Sequence, residues 1–179
     1  VIYKEFVADS CINQAGSSIR RVAVRAIVFQ ENKFLMLYSQ TNKDYSFPGG
    51  GIESGESNHE ALKRELMEEC GAEIIAIDRQ VAEIIEMDPA IEPDIAFFIR
   101  NTHYFLCRIS NYFTNPVFST SEKLRNNAIV WVDLEEALYN NQTLMKYNDP
   151  SPPRWVRRES FIMEQLSQHP ELYRGRNID

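Results

Sequence analysis

The chain has 179 residues, 44% hydrophobic and 25% charged, with a net charge of −7. That is enough for one domain with a sizeable core, and too acidic a balance for a protein that coats a nucleic-acid polymer. No apolar run approaches the roughly 18 residues of a membrane span and the first residues carry no signal-peptide pattern, so a cytoplasmic protein with no membrane partner is expected. The three cysteines, Cys11, Cys70 and Cys107, include no C-x-x-C pair, which speaks against a disulfide framework or zinc site and for a reducing compartment.

Along the chain, residues 21–29 alternate as a strand, with Val22, Val24, Ala26 and Val28 on one face and Arg21, Ala23, Arg25, Ile27 and Phe29 on the other. Glu31-Asn32-Lys33 is a turn signal, and residues 33–39 read as the returning strand of a hairpin. A short strand over 44–47 ends in Pro48 and three glycines, Gly49 to Gly51, which let a backbone turn sharply and approach a ligand closely. Ser57-x-x-Glu60 is a capping box and Gly71 suits the left-handed position that ends a helix. Between them, His59, Leu62, Leu66 and Cys70 form a mostly apolar stripe. Residues 73–85 suit a strand, 88–94 a loop, 95–109 a long aromatic-rich strand or bent pair, and 128–132 another strand. Asp133-x-x-Glu136 opens a short helix, 150–153 is a proline break, and 154–168 reads as a final helix. The pattern predicts a single domain over 1–179, with 1–20 and 150–179 as peripheral extensions.

The chemistry concentrates on the first helix. At roughly 100° per residue, Glu65, Glu68 and Glu69 fall within an arc of about 100°. Like charges at these spacings repel by a few tenths of a kcal/mol per pair, so three carboxylates beside a buried stripe call for a cation. Hard cations take oxygen ligands, and Mg²⁺ is typically held by one or two carboxylates plus substrate phosphates. Arg64 can reach Glu60 and Glu68 on its own helix, or bridge back to Glu56. Arg25, in mid-strand, needs a partner if buried, either a structural carboxylate or a substrate phosphate. Arg154, Arg157 and Arg158 form a second cationic set on one side of the final helix, either a phosphate site or a solvated face.

The segment from Gly50 to Ala72, GGIESGESNHEALKRELMEECGA, resembles the signature of the Nudix hydrolases, G-x5-E-x7-R-E-aliphatic-x-E-E-x-G-aliphatic. Every glycine and polar position matches, with Ala72 in a final slot that usually holds a bulkier residue. At usages of roughly 5–7% per residue type, seven fixed positions coincide by chance on the order of 10⁻⁹ per start site. The specific match covers about residues 45–72 and the looser strand pattern about 21–140.

The resemblance implies an α/β fold, a Nudix-type α/β/α sandwich with a mixed sheet and the catalytic carboxylates on one helix. It implies metal-dependent attack of water on phosphorus, cleaving a nucleoside diphosphate linked to another moiety. Glu65, Glu68 and Glu69, with the carbonyl of Gly50, would hold Mg²⁺ or Mn²⁺. Arg64 would complete the catalytic set, and Arg25, Gly49, Gly50 and Arg154 would bind substrate. The general base is Glu65 or an acid outside the box, Glu92, Asp94 or Glu122. ADP-ribose-like, dinucleoside polyphosphate and nucleoside triphosphate substrates all stay open. Pro89 lies roughly where many ADP-ribose cleavers carry a proline, whereas the stretch typical of NADH cleavers and a coenzyme A signature are absent. A small nucleotide rather than a nucleic-acid polymer is the expected partner, and the chain a monomer or homodimer. The alternative is a catalytically silent Nudix-fold binding or regulatory module. Such modules usually lose a box glutamate, and all are present here.

Overall fold

The computed structural model describes residues 1–7, 16–89, 94–116, 126–147 and 153–174. Its strands are β1 (Ile2–Val7), β2 (Ser18–Gln30), β3 (Lys33–Ser39), β4 (Tyr45–Ser46), β5 (Ala72–Pro89), β6 (Phe97–Phe113) and β7 (Asn127–Val132). The expected hairpin joins β2 to β3 through Glu31 and Asn32, whose φ values of 48° and 64° give the two-residue turn whose twist suits paired strands. Strand order is β1-β5-β6-β2-β3-β4, with β7 also on β3. The sheet is mixed, because β1–β5 and β2–β6 pair parallel and the other pairs antiparallel.

β2 and β3 share only the Phe29–Phe34 and Gln30–Lys33 pairs. Further back along β2, its edge is taken instead by residues 48–52. Ala26 N–H donates to the Pro48 carbonyl (2.9 Å), Val24 N–H to that of Gly50 (2.9 Å), and Ile52 N–H to that of Val22 (3.0 Å). The glycine run is therefore stitched to a central strand.

Helices α1 (Asn58–Cys70), α2 (Leu134–Tyr147) and α3 (Arg154–Gln168) cover the sheet. The alternation along β2 divides the core in two. Val24, Ala26 and Val28 pack with Leu35, Leu37, Ala61, Leu62 and Leu66 on the α1 side. Ile27 packs with Phe34, Met36, Phe47 and the apolar residues of α2 and α3 on the other. This is the expected α/β/α sandwich. His59 is exposed, with its ring edge-on to Phe105, and Ala61 fills the buried stripe in its place.

β1 and α3 fall within the segments expected at the periphery. β1 pairs with β5 from Ile2–Ala82 to Val7–Met87, and α3 buries Val156, Ile162, Met163 and Leu166. The sequence reading places no strand at β1, whereas α3 has the 154–168 bounds expected of the final helix. Asp88 and Pro89 extend β5 rather than begin a loop, pairing with Phe98 and Phe97; proline is tolerated at a strand end. Residues 90–93 of the expected loop lie outside the described residues. β6 is one continuous strand. Among the described residues no helix is long and apolar enough to cross a membrane.

α1 ends at Gly71 (φ 64°, ψ 21°), whose N–H reaches the Leu66 and Met67 carbonyls. A Cβ there would overlap the Thr114 carbonyl. Gly71→Ala is expected to lose about 1–3 kcal/mol from the left-handed backbone alone, with the overlap adding to it. Urea unfolding at constant m checks this, and an unchanged midpoint would refute it.

Candidate active site

The capping box forms as the sequence indicates. Ser57 N–H donates to Glu60 Oε2 (2.8 Å) and Glu60 N–H to Ser57 Oγ (3.3 Å). The Ser57 hydroxyl also donates to Glu60 Oε2 (2.7 Å), and this bond, then that of the Ser57 N–H, holds the Glu60 carboxyl below its ordinary pKa. With Glu60 occupied at the cap, Arg64 turns to the other partners open to it. Its Nε and Nη2 meet Glu56 Oε1 (2.8 Å) and Oε2 (2.9 Å) as a two-pronged pair. Nη2 also donates to the Gly51 carbonyl (3.0 Å), and Nη1 lies 2.8 Å from Glu65 Oε1 and 3.4 Å from Glu68 Oε2. One guanidinium thus fixes the loop before the helix, the glycine run and two carboxylates of the box.

Glu65 and Glu69 point inward, 7% and 4% exposed, whereas the Glu68 side chain is 47% exposed. Glu69 Oε2 accepts from Gly49 N–H (2.6 Å). A Cβ on Gly50 would overlap the Glu65 carboxylate, and one on Gly49 the Val24 carbonyl. At Gly49 the overlap is with backbone and φ is 135°, so glycine is required there, whereas at Gly50 a side chain would displace the Glu65 carboxylate. Burial pushes the Glu65 carboxyl above its ordinary pKa, against the opposing pull of Arg64 and Arg25.

A cleft of about 360 Å³ opens where these groups meet. Gly49, Gly50, Glu65, Glu69 and Arg25 line it, and Arg21, Arg100, Ser46, Trp155 and Arg158 complete its wall. Arg25 Nη1 donates to the carbonyls of Phe47 (3.2 Å) and Gly49, and its Nε lies 4.0 Å from Glu159 Oε1. It braces the glycine run and faces the cleft at once. Among the described residues, no three His, Cys, Asp or Glu side chains are gathered closely enough to hold a metal ion. Arg64 Nη1 draws Glu65 and Glu68 while Gly49 N–H engages Glu69, so the carboxylates are spread.

The second cationic set does not assemble. Arg154 is 60% exposed and pairs with Asp88 (3.3 Å), outside the cleft lining. Arg157 lies over the Phe6 ring at 4.5 Å. Arg158 is fully buried, paired with Glu86 (2.5 Å) and Glu159 (2.9 Å), and its Nε donates to the Tyr104 hydroxyl (2.9 Å). A helix that packs on a sheet sends neighbouring positions to different surroundings, which scatters the three. Of the distal acids, Asp94 is exposed, its carbonyl accepting from Ser17 Oγ (2.6 Å), and it does not line the cleft. Glu92 and Glu122 lie outside the described residues.

The sequence reading missed Arg100, Trp155 and the buried Glu86–Arg158–Glu159 group. Glu86 had a signal. It follows Ala82 and Ile84 on the inward face of β5, and an acid in such a series needs a buried cation.

A NUDIX domain model matches residues 19–157. The chain belongs to the Nudix family and is a Nudix-type hydrolase. Over 135 residues it is 30% identical to the RNA pyrophosphohydrolase of a Nitratiruptor species, a match covering 72% of this chain and 79% of that one. Its fold is similar to the solution structure of the E. coli ORF135 protein (TM-score 0.54, 22% identity, covering 92% of this chain and 97% of that one). It is also similar to a NUDIX hydrolase from Nitrosomonas europaea (0.54, 17%, 90% and 97%). An ADP-ribose pyrophosphatase from Streptococcus suis 89-1591 is similar as well (0.51, 20%, 83% and 92%).

The Arg64 pair, aided by the Glu53 N–H, holds Glu56 down at about 2 against an ordinary 4.5. A depressed carboxylate stabilises the fold fully above its unfolded pKa and loses that contribution as the pH falls through its folded value. Wild type is therefore expected to lose melting temperature more steeply than Glu56→Gln between about pH 4.5 and 2. Parallel melting curves across that window would show that the pair contributes nothing.

Proposed function

We propose that this chain is a metal-dependent pyrophosphohydrolase that cleaves a phosphoric anhydride in a nucleoside diphosphate linked to another moiety. The observation that carries the reading is the burial of Glu65 and Glu69 against Gly49 and Gly50, with Arg64 locked between Glu56 and Glu65. A cleft of about 360 Å³ falls in the usual size range for small-molecule sites, roughly 300–1,000 Å³. The free, buried thiols of Cys70 and Cys107 suit a reducing compartment such as the cytoplasm.

The donor set fits a hard divalent cation. Glu65, Glu68 and Glu69 offer carboxylate oxygens, and the Gly50 carbonyl, which accepts one bond from Val24 N–H, keeps a second lone pair. Glu68 is exposed enough to swing toward the other two. Bound there, Mg²⁺ or Mn²⁺ would neutralise diphosphate charge and acidify a water. Arg64 orients the Glu65 carboxylate, and Gly49 N–H orients that of Glu69. Glu65 lines the cleft beside Gly50, and we assign it as proton acceptor. Arg25 offers the substrate a cation from the wall.

ADP-ribose-like, dinucleoside polyphosphate and nucleoside triphosphate substrates share the required diphosphate. A second reading, a pyrophosphate carried on RNA, is favoured by the likeness to the Nitratiruptor protein. Incubation with Mg²⁺ or Mn²⁺ and a panel of these nucleotides plus a 5′-triphosphorylated oligoribonucleotide, in ¹⁸O-water, identifies substrate and attacked phosphorus. Turnover of none of them would favour the silent-module alternative.

Glu68→Gln and Glu69→Gln are each expected to lower kcat by about 10²-fold or more, since metal polarisation supplies several kcal/mol and each ~1.4 kcal/mol is tenfold in rate. Near-normal turnover by both variants would remove the site assignment. Mn²⁺ is also expected to raise the melting temperature of wild type and not of the Glu65→Gln/Glu69→Gln double variant. An equal shift in both would place metal binding elsewhere.

A further inference from the structure

Arg100 stands on β6 where the parallel register sets it beside Arg21 of β2 and the antiparallel register sets it opposite Glu86 of β5. Glu86 does not serve it, because that carboxylate is taken by Arg158 Nη1 at 2.5 Å. Arg154 likewise takes Asp88, the next inward acid of β5. Among the described residues the Arg100 side chain has no ion pair and no hydrogen bond, although it is half-buried in the cleft wall. Burial, and then repulsion from Arg158, pull the guanidinium below its ordinary pKa, and the attraction of Glu86 and Asp88 at longer range does not make this good. What holds it is the Phe98 ring, 5.4 Å from its guanidinium carbon and 5.8 Å from that of Arg21. Two cations therefore flank one ring and line the same cleft as Glu65 and Glu69.

A half-buried cation with no carboxylate in contact is costly unless an anion arrives to meet it. A stacked guanidinium presents its donors as a planar fork, which matches phosphate oxygens two at a time. We propose that Arg100, supported by Arg21, binds a phosphate of the substrate and makes the cleft selective for diphosphates over monophosphates. The inference rests on the pyrophosphohydrolase reading. One phosphate lies toward the Glu65–Glu69 carboxylates and their cation, and its neighbour lies on the arginine fork. A monophosphate can satisfy one end alone, so Arg100 is a specificity-determining residue.

The test uses the full chain with Mg²⁺ and two base-free probes, methylenediphosphonate and inorganic phosphate, titrated calorimetrically. Arg100→Met keeps the apolar stem on Phe98 and removes the fork. It is expected to weaken diphosphonate binding by about ten- to a hundredfold, the loss of charge-assisted bonds, while phosphate binding changes less, so the ratio between the probes collapses. Arg100→Lys is expected to recover part of the loss, and Arg21→Met, at an exposed position, to lose less. Melting temperatures separate these effects from misfolding. A folded Arg100→Met that keeps the wild-type ratio, or a wild type that does not prefer the diphosphonate, overturns the proposal. Wild-type hydrolysis of the nucleotide panel is measured beside it. Turnover with an unchanged ratio overturns the Arg100 assignment alone, and absence of any turnover overturns the pyrophosphohydrolase reading itself.

Discussion

Close approach between the glycine run and two neighbours governs the geometry of the whole site. Val24 N–H reaches back to the Gly50 carbonyl from β2, while the Glu65 and Glu69 carboxylates come in from α1 on the other side. Neither neighbour leaves room for a Cβ at Gly49 or Gly50. The backbone there acts as a spacer one peptide thick, which fixes the distance between the acidic helix and the basic strands. Arg64 then locks the arrangement from the solvent side and Arg25 from the sheet side.

The second support is electrostatic and lies beneath the cleft. Glu159 is fully buried, and its Oε1 accepts from the Tyr104 hydroxyl (3.0 Å) and from Arg158, while Oε2 accepts from Phe47 N–H (3.1 Å). Burying such charges costs more than packing apolar groups unless every partner is in place. Here the bonds tie α3, β6 and the strand entering the glycine run into one unit. Trp155 Nε1 adds a further tie to Asp44 Oδ2 (2.7 Å). The wall of the cleft and the floor of the core are therefore the same structure.

The parts legible in sequence were those set by local rules. The capping box, the left-handed Gly71, the two-residue turn at Glu31-Asn32 and the alternation of β2 each depend on neighbours a few residues away, and each appears where its pattern stands. Helical spacing put Glu65, Glu68 and Glu69 on one arc but did not separate the inward Glu65 and Glu69 from the exposed Glu68. What was illegible depends on partners far along the chain. Arg158 looked like one of three arginines on a helix face until Glu86, 72 residues earlier, supplied its partner. Arg100 carried no motif at all. Its place in the cleft comes from strand register, with Arg21 on one side and a carboxylate already taken on the other.

The pairing of β2 with β6 has a consequence for how the molecule comes into being. Ser18 pairs with Phe97 and Ile2 with Ala82, and both pairings are parallel, so long stretches of chain must be ordered before either closes. Non-local pairing of this kind slows folding and leaves strand edges open to aggregation in the interval. The helix that brings Trp155 and Arg158 to the cleft and Glu159 beneath it is made after all of these strands. During synthesis the acidic helix and the glycine run emerge early, yet the cleft closes only when α3 docks. Completion of the cleft wall thus waits on α3, which follows every described strand in the chain, rather than on the motif that carries the chemistry.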